Sequence, residues 1–166
     1  FPAVRSFPAP SRVSLVKARD VEARLEKLSD GFWRDTSTVT KSDVDTFSFI
    51  NFVYETNAVP SAAEGFVFDL RVDAPQPHTR ETVVFVELAD GARFILNTGV
   101  DMMTAGCTRV LVPFARLRPW GATPKTRAFE PAQTRSIQFG FGGNFGVAGD
   151  VITFAVSEPK VYKQEQ

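Results

Sequence analysis

From residue 46 almost to the end of the chain, apolar and polar residues alternate with a period of two, the signature of half-buried strands. Seven strand-length segments carry the pattern: Thr46 to Tyr54, Phe66 to Val72, Thr82 to Leu88, Arg93 to Asn97, Arg109 to Phe114, Arg135 to Phe141 and Val151 to Ser157. Turn-forming residues separate them, namely Asn57 with Pro60, the Pro75/Pro77 loop, Asp90-Gly91, Thr104 to Gly106, the long Pro119 to Pro131 loop, and Gly142 to Gly149. Ala89-Asp90-Gly91-Ala92 is a hairpin signal, since glycine supplies the positive φ that a tight primed turn needs. So many short strands in succession predict an all-β fold, a β-sandwich or jelly roll.

Upstream of residue 46 the pattern is different. Val21, Leu25 and Leu28 recur at helical spacing among the helix formers Ala23, Arg24, Glu26 and Lys27, which predicts one short N-terminal helix over Asp20 to Leu28. Ser29-Asp30-Gly31 stops it, and Trp33 beside Phe32 reads as a core residue. Residues 1–12 hold three prolines without periodicity and read as a Pro-rich linker or strap. A single β-sandwich module then spans 13–163, with 164–166 as a tail.

Composition supports one domain rich in strands. The chain has 166 residues, with 16 Phe against 2 Trp and 2 Tyr, and aromatic residues pack well on a pleated surface. Nineteen basic and nineteen acidic residues give no net charge, which argues against nucleic-acid binding and against a polybasic membrane anchor. No apolar run reaches the ~20 residues of a membrane span. The chain opens at Phe1 without a charged-then-apolar leader, so any secretion signal would precede it. Cys107, the single cysteine, allows neither an internal disulfide nor a cysteine-rich zinc site and reads as a small half-buried filler. His78, the single histidine, lies in a proline-flanked loop and reads as a solvated side chain rather than a catalytic base.

The strand faces carry the candidate chemistry. Phe66, Phe68, Leu70 and Val72 point to one side and Asp69 and Arg71 to the other. The same alternation sets Glu87 opposite Val86, and Arg93 and Asn97 opposite Phe94 and Leu96. Asp69, Arg71, Glu87, Arg93 and Asn97 are therefore expected on the outer face of one sheet. Such charges either pair across strands in water or form a polar cleft whose forked donors and paired acceptors suit vicinal hydroxyls. Trp120, between Pro119 and Gly121 in a loop, either plugs the end of the sandwich or stacks on the C–H face of a sugar, with Gln138 as a further hydroxyl partner. Asp69 and Glu87 raise the thought of a glycosidase pair, but acidic pairs on sheet faces are common and no catalytic residue is assigned. The glycine-rich run Phe139 to Gly146 fails as a phosphate loop, because a G-x-G-x-x-G match would need glycine at Phe145 and no helix follows.

Several motifs in the second half resemble those of galactose-binding-like β-sandwich modules. Asp90-Gly91-Ala92-Arg93-Phe94 is similar to their hairpin, and Arg109 to Leu117 to their strand with a Val-Pro-Phe core. Glu130 to Phe141 is similar to their Pro-led strand ending Phe-Gly-Phe, with Val151 to Phe154 as the closing strand. The grouping includes carbohydrate-binding module families and the complex I intermediate-associated proteins. The resemblance implies a non-catalytic carbohydrate-binding module joined to a polysaccharide-degrading enzyme, secreted or at the cell surface, with a polysaccharide or oligosaccharide as partner. The alternative readings are a protein-interaction or assembly domain of the intermediate-associated type and a structural spacer. Many such modules hold a structural calcium. Here Asp20, Glu22 and Asp150 are the candidate oxygen ligands, and no other cofactor is expected.

Overall fold

A computed structural model of the protein describes residues 3–76, 78, 81–143 and 146–164. Phe1 and Pro2 of the strap, Pro77 of the proline loop, Asn144 and Phe145 of the glycine run, and Glu165 and Gln166 of the tail lie outside the described residues. All seven alternating segments form strands, and the strands build two antiparallel sheets packed as a sandwich.

The back sheet runs β1 (Ala3–Arg5), β13 (Lys160–Lys163), β6 (Gly65–Val72), β12 (Val151–Val156), β4 (Trp33–Val39), β3 (Val21–Lys27), with β9 (Gly106–Pro113) on the other side of β6. The front sheet runs β10 (Arg118–Pro119), β8 (Arg93–Asn97), β7 (Thr82–Leu88), β11 (Thr134–Phe141), β5 (Ser48–Val53), β2 (Arg12–Lys17). Between the sheets lie Phe66, Phe68 and Leu70 from the back, and Ile50, Phe52, Val84, Val86, Phe94, Ile137 and Phe139 from the front. Phe68 touches both Phe52 and Phe139 across the interface, at ring separations of 6.1 and 5.1 Å. Each such buried ring contributes about 1.5–3 kcal/mol of apolar transfer. Phenylalanine can fill this dry interior where tyrosine would bring a hydroxyl that needs a partner.

Two expectations change. Val21–Lys27 is strand β3, not a helix. Its residues pair one for one with β4 from Val21↔Val39 to Lys27↔Trp33. Val21, Ala23 and Leu25 fit a period of two as readily as Val21, Leu25 and Leu28 fit the helical one. A helix of seven residues nucleates poorly in water, so the ladder offered by β4 decides the outcome. The strap also carries structure: Ala3–Arg5 pairs with β13, and the Phe7 ring lies 4.9 Å from Tyr54 and 6.1 Å from Phe66. Trp33 packs against the core while remaining partly exposed, and its indole N–H donates to Glu158 at 2.9 Å.

Candidate functional site

The outer face of the front sheet is built by register. Phe49, Gly140, Val83 and Asn97 form one row across β5, β11, β7 and β8. Asn51, Gln138, Phe85 and Ile95 form the next, and Val53, Ser136, Glu87 and Arg93 the third. All alternate with core residues, so the period of two turns them outward. A cleft of about 410 Å³ lies on this face, with Val16, Phe49, Phe85, Ile95 and Gln138 on its floor and Asp45, Phe47 and Trp120 at its rim. Gly140 lets β11 lie close against β5, since a side chain there would run into the Ser48 carbonyl oxygen.

Trp120 stands at the β10 edge, 43% exposed. Its backbone N–H donates to the Arg93 carbonyl at 2.9 Å, and the Arg93 N–H donates to Thr123 Oγ1 at 2.9 Å. Gly121, at φ +66°, turns the chain between these two bonds. The loop is thereby pinned to β8 and holds the indole edge-on to Phe85, 5.0 Å between centroids. The Arg93 guanidinium fits the corner between the rings, 4.9 Å from Phe85 and 4.8 Å from Trp120.

Three polar atoms here have no hydrogen-bond partner among the described residues: Asn51 Oδ1, Gln138 Oε1 and Arg93 Nε. Gln138 is only 6% exposed. Leaving a buried polar atom unpaired costs about 1–3 kcal/mol, and all three atoms are shut off from solvent as the side chains stand. The Gln138 carboxamide, the Arg93 guanidinium and the flanking aromatic faces give the cleft a mixed polar and apolar lining suited to an amphipathic, hydroxyl-rich molecule.

Glu87, Arg93, Asn97, Trp120 and Gln138 thus share one face as expected from sequence. Asp69 and Arg71 do not. Both lie on β6 in the back sheet, where Asp69 accepts from Arg109 at 3.0 Å and Arg71 donates to Asp30 at 2.6 Å. That bond from Arg71 holds the Asp30 carboxyl below the usual carboxylate range. The chain crosses between sheets in the proline loop after β6, so neighbouring strands in sequence belong to different faces. Asp69 and Glu87, on opposite sheets, cannot act on one bond together.

The loop end of the cleft opens into a second cavity of about 300 Å³ lined by His78, Glu81, Asn97 and Gly142. His78 Nδ1 lies 2.6 Å from Asp150 Oδ2, which also accepts the Val147 N–H at 3.1 Å. Among the described residues no three His, Cys, Asp or Glu side chains converge as a metal site, so Asp20, Glu22 and Asp150 are not gathered into one. Cys107 is exposed rather than half-buried. Sequence reading passed over Val16, Asp45, Phe47, Phe49 and Asn51, all of them on or beside this face. Asn51 had a visible signal, a lone carboxamide inside the apolar run Phe49-Ile50-Asn51-Phe52-Val53.

No protein-family profile and no curated protein matches the sequence. Solved structures match it in shape. A family 11 carbohydrate-binding module from Clostridium thermocellum, in complex with a β-1,3-1,4-mixed-linked tetrasaccharide, superposes with a TM-score of 0.64 at 11% identity. That match covers 98% of this chain and 95% of the module. The family 30 carbohydrate-binding module of the C. thermocellum cellulosomal cellulase Cel9D-Cel44B gives 0.57 at 11% identity, over 100% of this chain and 99% of the other. In the agarase AgWH50C the match covers 95% of this chain but 23% of the agarase, with a TM-score of 0.62 at 12% identity. Likeness at such identities speaks to architecture and not to ligand: the chain has the two-sheet β-sandwich fold seen in these carbohydrate-binding modules.

Proposed function

We propose that the protein is a non-catalytic carbohydrate-binding module whose front-sheet cleft holds a stretch of polysaccharide, keeping an attached polysaccharide-degrading domain against its glycan outside the cell. The observation that carries this reading is the cleft itself. An aromatic corner of Phe85 and Trp120 shares the cleft with the Gln138 carboxamide and the Arg93 guanidinium on the front sheet. Rings offer a flat apolar face to sugar C–H groups, and carboxamide and guanidinium groups hydrogen-bond to hydroxyls. The shared fold with carbohydrate-binding modules, one of them in complex with a tetrasaccharide, supports it.

Affinity electrophoresis tests the reading. The protein should be retarded by at least one gel from a panel of neutral and acidic polysaccharides, and Trp120→Ala should run almost free while keeping its circular dichroism spectrum. Truncating an aromatic anchor in a pocket typically costs ~2 kcal/mol or more of binding. Retardation should survive EDTA, since the cleft offers no metal-ligand set among the described residues. Free migration in every gel would refute the proposal and turn attention to a protein partner for the same face.

A further inference from the structure

We infer that the cleft selects an acidic polysaccharide, one carrying carboxylate or sulfate groups, through Arg93; the inference rests on the carbohydrate-binding reading above. Four arginines elsewhere on the described surface are committed to carboxylates. Arg34 holds Glu26 at 2.6 Å, Arg71 holds Asp30 at 2.6 Å, Arg109 holds Asp69 at 3.0 Å and Arg127 holds Asp90 at 2.7 Å. Arg93 has no such bond. Glu87 Oε2 stands 3.9 Å from its Nε, outside hydrogen-bond range, and that Nε is buried with no acceptor among the described residues.

The position of the guanidinium defines what it can take. Its stem and flat faces pack against Phe85 and Trp120, so the in-plane N–H groups are the donors left for a ligand. A guanidinium edge presents a fork of parallel donors that matches the paired oxygens of a carboxylate or sulfate. Aromatic packing also fixes the side chain before binding, which lowers the entropy lost on engaging an anion. Arg93 lines both the sheet-face cleft and the adjoining cavity of about 460 Å³ beneath the Trp120 loop. A sugar stacked on Trp120 therefore brings its ring substituents to this fork. Gln138 lies two strands away on β11, about 10 Å by strand spacing, placed for a hydroxyl of another residue in the same chain.

Among the described residues three carboxylates face the site: Asp45 across the cleft, Glu87 beside Arg93 on the neighbouring strand, and Asp90 in the adjoining cavity, where Arg127 holds it. Glu87 is the exchangeable one. It is 44% exposed and makes no hydrogen bond to Arg93, so it can swing to water when a ligand anion arrives.

Matched polymers that share a backbone and differ in charge test the inference. Affinity gels would contain polygalacturonate or its methyl ester, and carrageenan or its desulfated form. The acidic member of at least one pair should bind about tenfold or more tightly, as charge-assisted hydrogen bonds in a partly dry pocket give, and added salt should weaken it. The responding pair tells carboxylate from sulfate. Arg93→Gln should abolish the preference, and Arg93→Lys, which keeps the charge but loses the fork, should retain only part of it. Circular dichroism of both variants reports whether the fold is kept. Equal retardation by both members of each pair, or a preference that survives Arg93→Gln, would overturn the inference and leave the carbohydrate reading standing. Retardation by a neutral glycan alone would do the same, whereas no retardation by any polymer would overturn both.

Discussion

Asp35 is buried between the sheets, and its two carboxyl oxygens accept from Ser37 at 2.6 Å and Ser48 at 2.5 Å. Burial raises its pKa above the usual carboxylate range, while the two hydroxyl bonds work the other way. A carboxyl group with a raised folded-state pKa binds its proton more tightly folded than unfolded. Its contribution to stability is thus most favourable in acid and is lost as pH rises from the ordinary carboxylate value through the folded-state one. Asp35→Asn cannot ionise, so in urea unfolding it should gain on the parent as pH rises across that window and lose the advantage below it. A gap independent of pH would show that Asp35 has the same pKa folded and unfolded, and would overturn the raised value. The residue scale is also where the sequence was most legible. Trp120 was exposed for the reason its Pro-Gly setting implied, and Glu87, Arg93, Asn97 and Gln138 faced outward because strand alternation is a local property.

At the scale of elements, β11 and β5 come close at Gly140, where an added Cβ would lie 2.7 Å from the Phe49 Cα and 2.8 Å from the Ser48 carbonyl carbon. Backbone cannot swing aside as a side chain does. Gly140→Ala should therefore lower the urea midpoint by the equivalent of about 1–3 kcal/mol, the usual cost of overpacking, and should reshape the cleft floor. A variant as stable as the parent would mean that the two strands separate cheaply. The strands after residue 46 were legible because each alternates over its full length. β3 was not, because the eight residues from Val21 to Leu28, with Val21, Ala23 and Leu25 at a period of two and Val21, Leu25 and Leu28 at helical spacing, satisfy two periods at once. Only the partner strand β4, more than ten residues away in register at its far end, distinguishes them. β1 is too short for any period to show.

For the whole molecule, what the sequence withheld was the allocation of strands to sheets. β6 and β7 are consecutive and both alternate, yet one lies in the back sheet and the other in the front. No local pattern marks that crossover; it is fixed by long-range partners, β9 and β12 for β6 and β11 for β7. Asp69 and Arg71 therefore left the expected cleft, while Phe49 and Asn51 joined it from a strand about thirty residues upstream of β7. The same allocation separates the two indoles. Trp33 lies on the back sheet, hydrogen-bonded to Glu158, and Trp120 overhangs the front cleft with a guanidinium at its face. The protein thus carries one emitter at the cleft and another beyond its reach. Titration with a bound glycan should change the emission of Trp120 while that of Trp33 stays constant, so the parent chain and its Trp120→Ala variant together give a label-free optical readout with an internal standard.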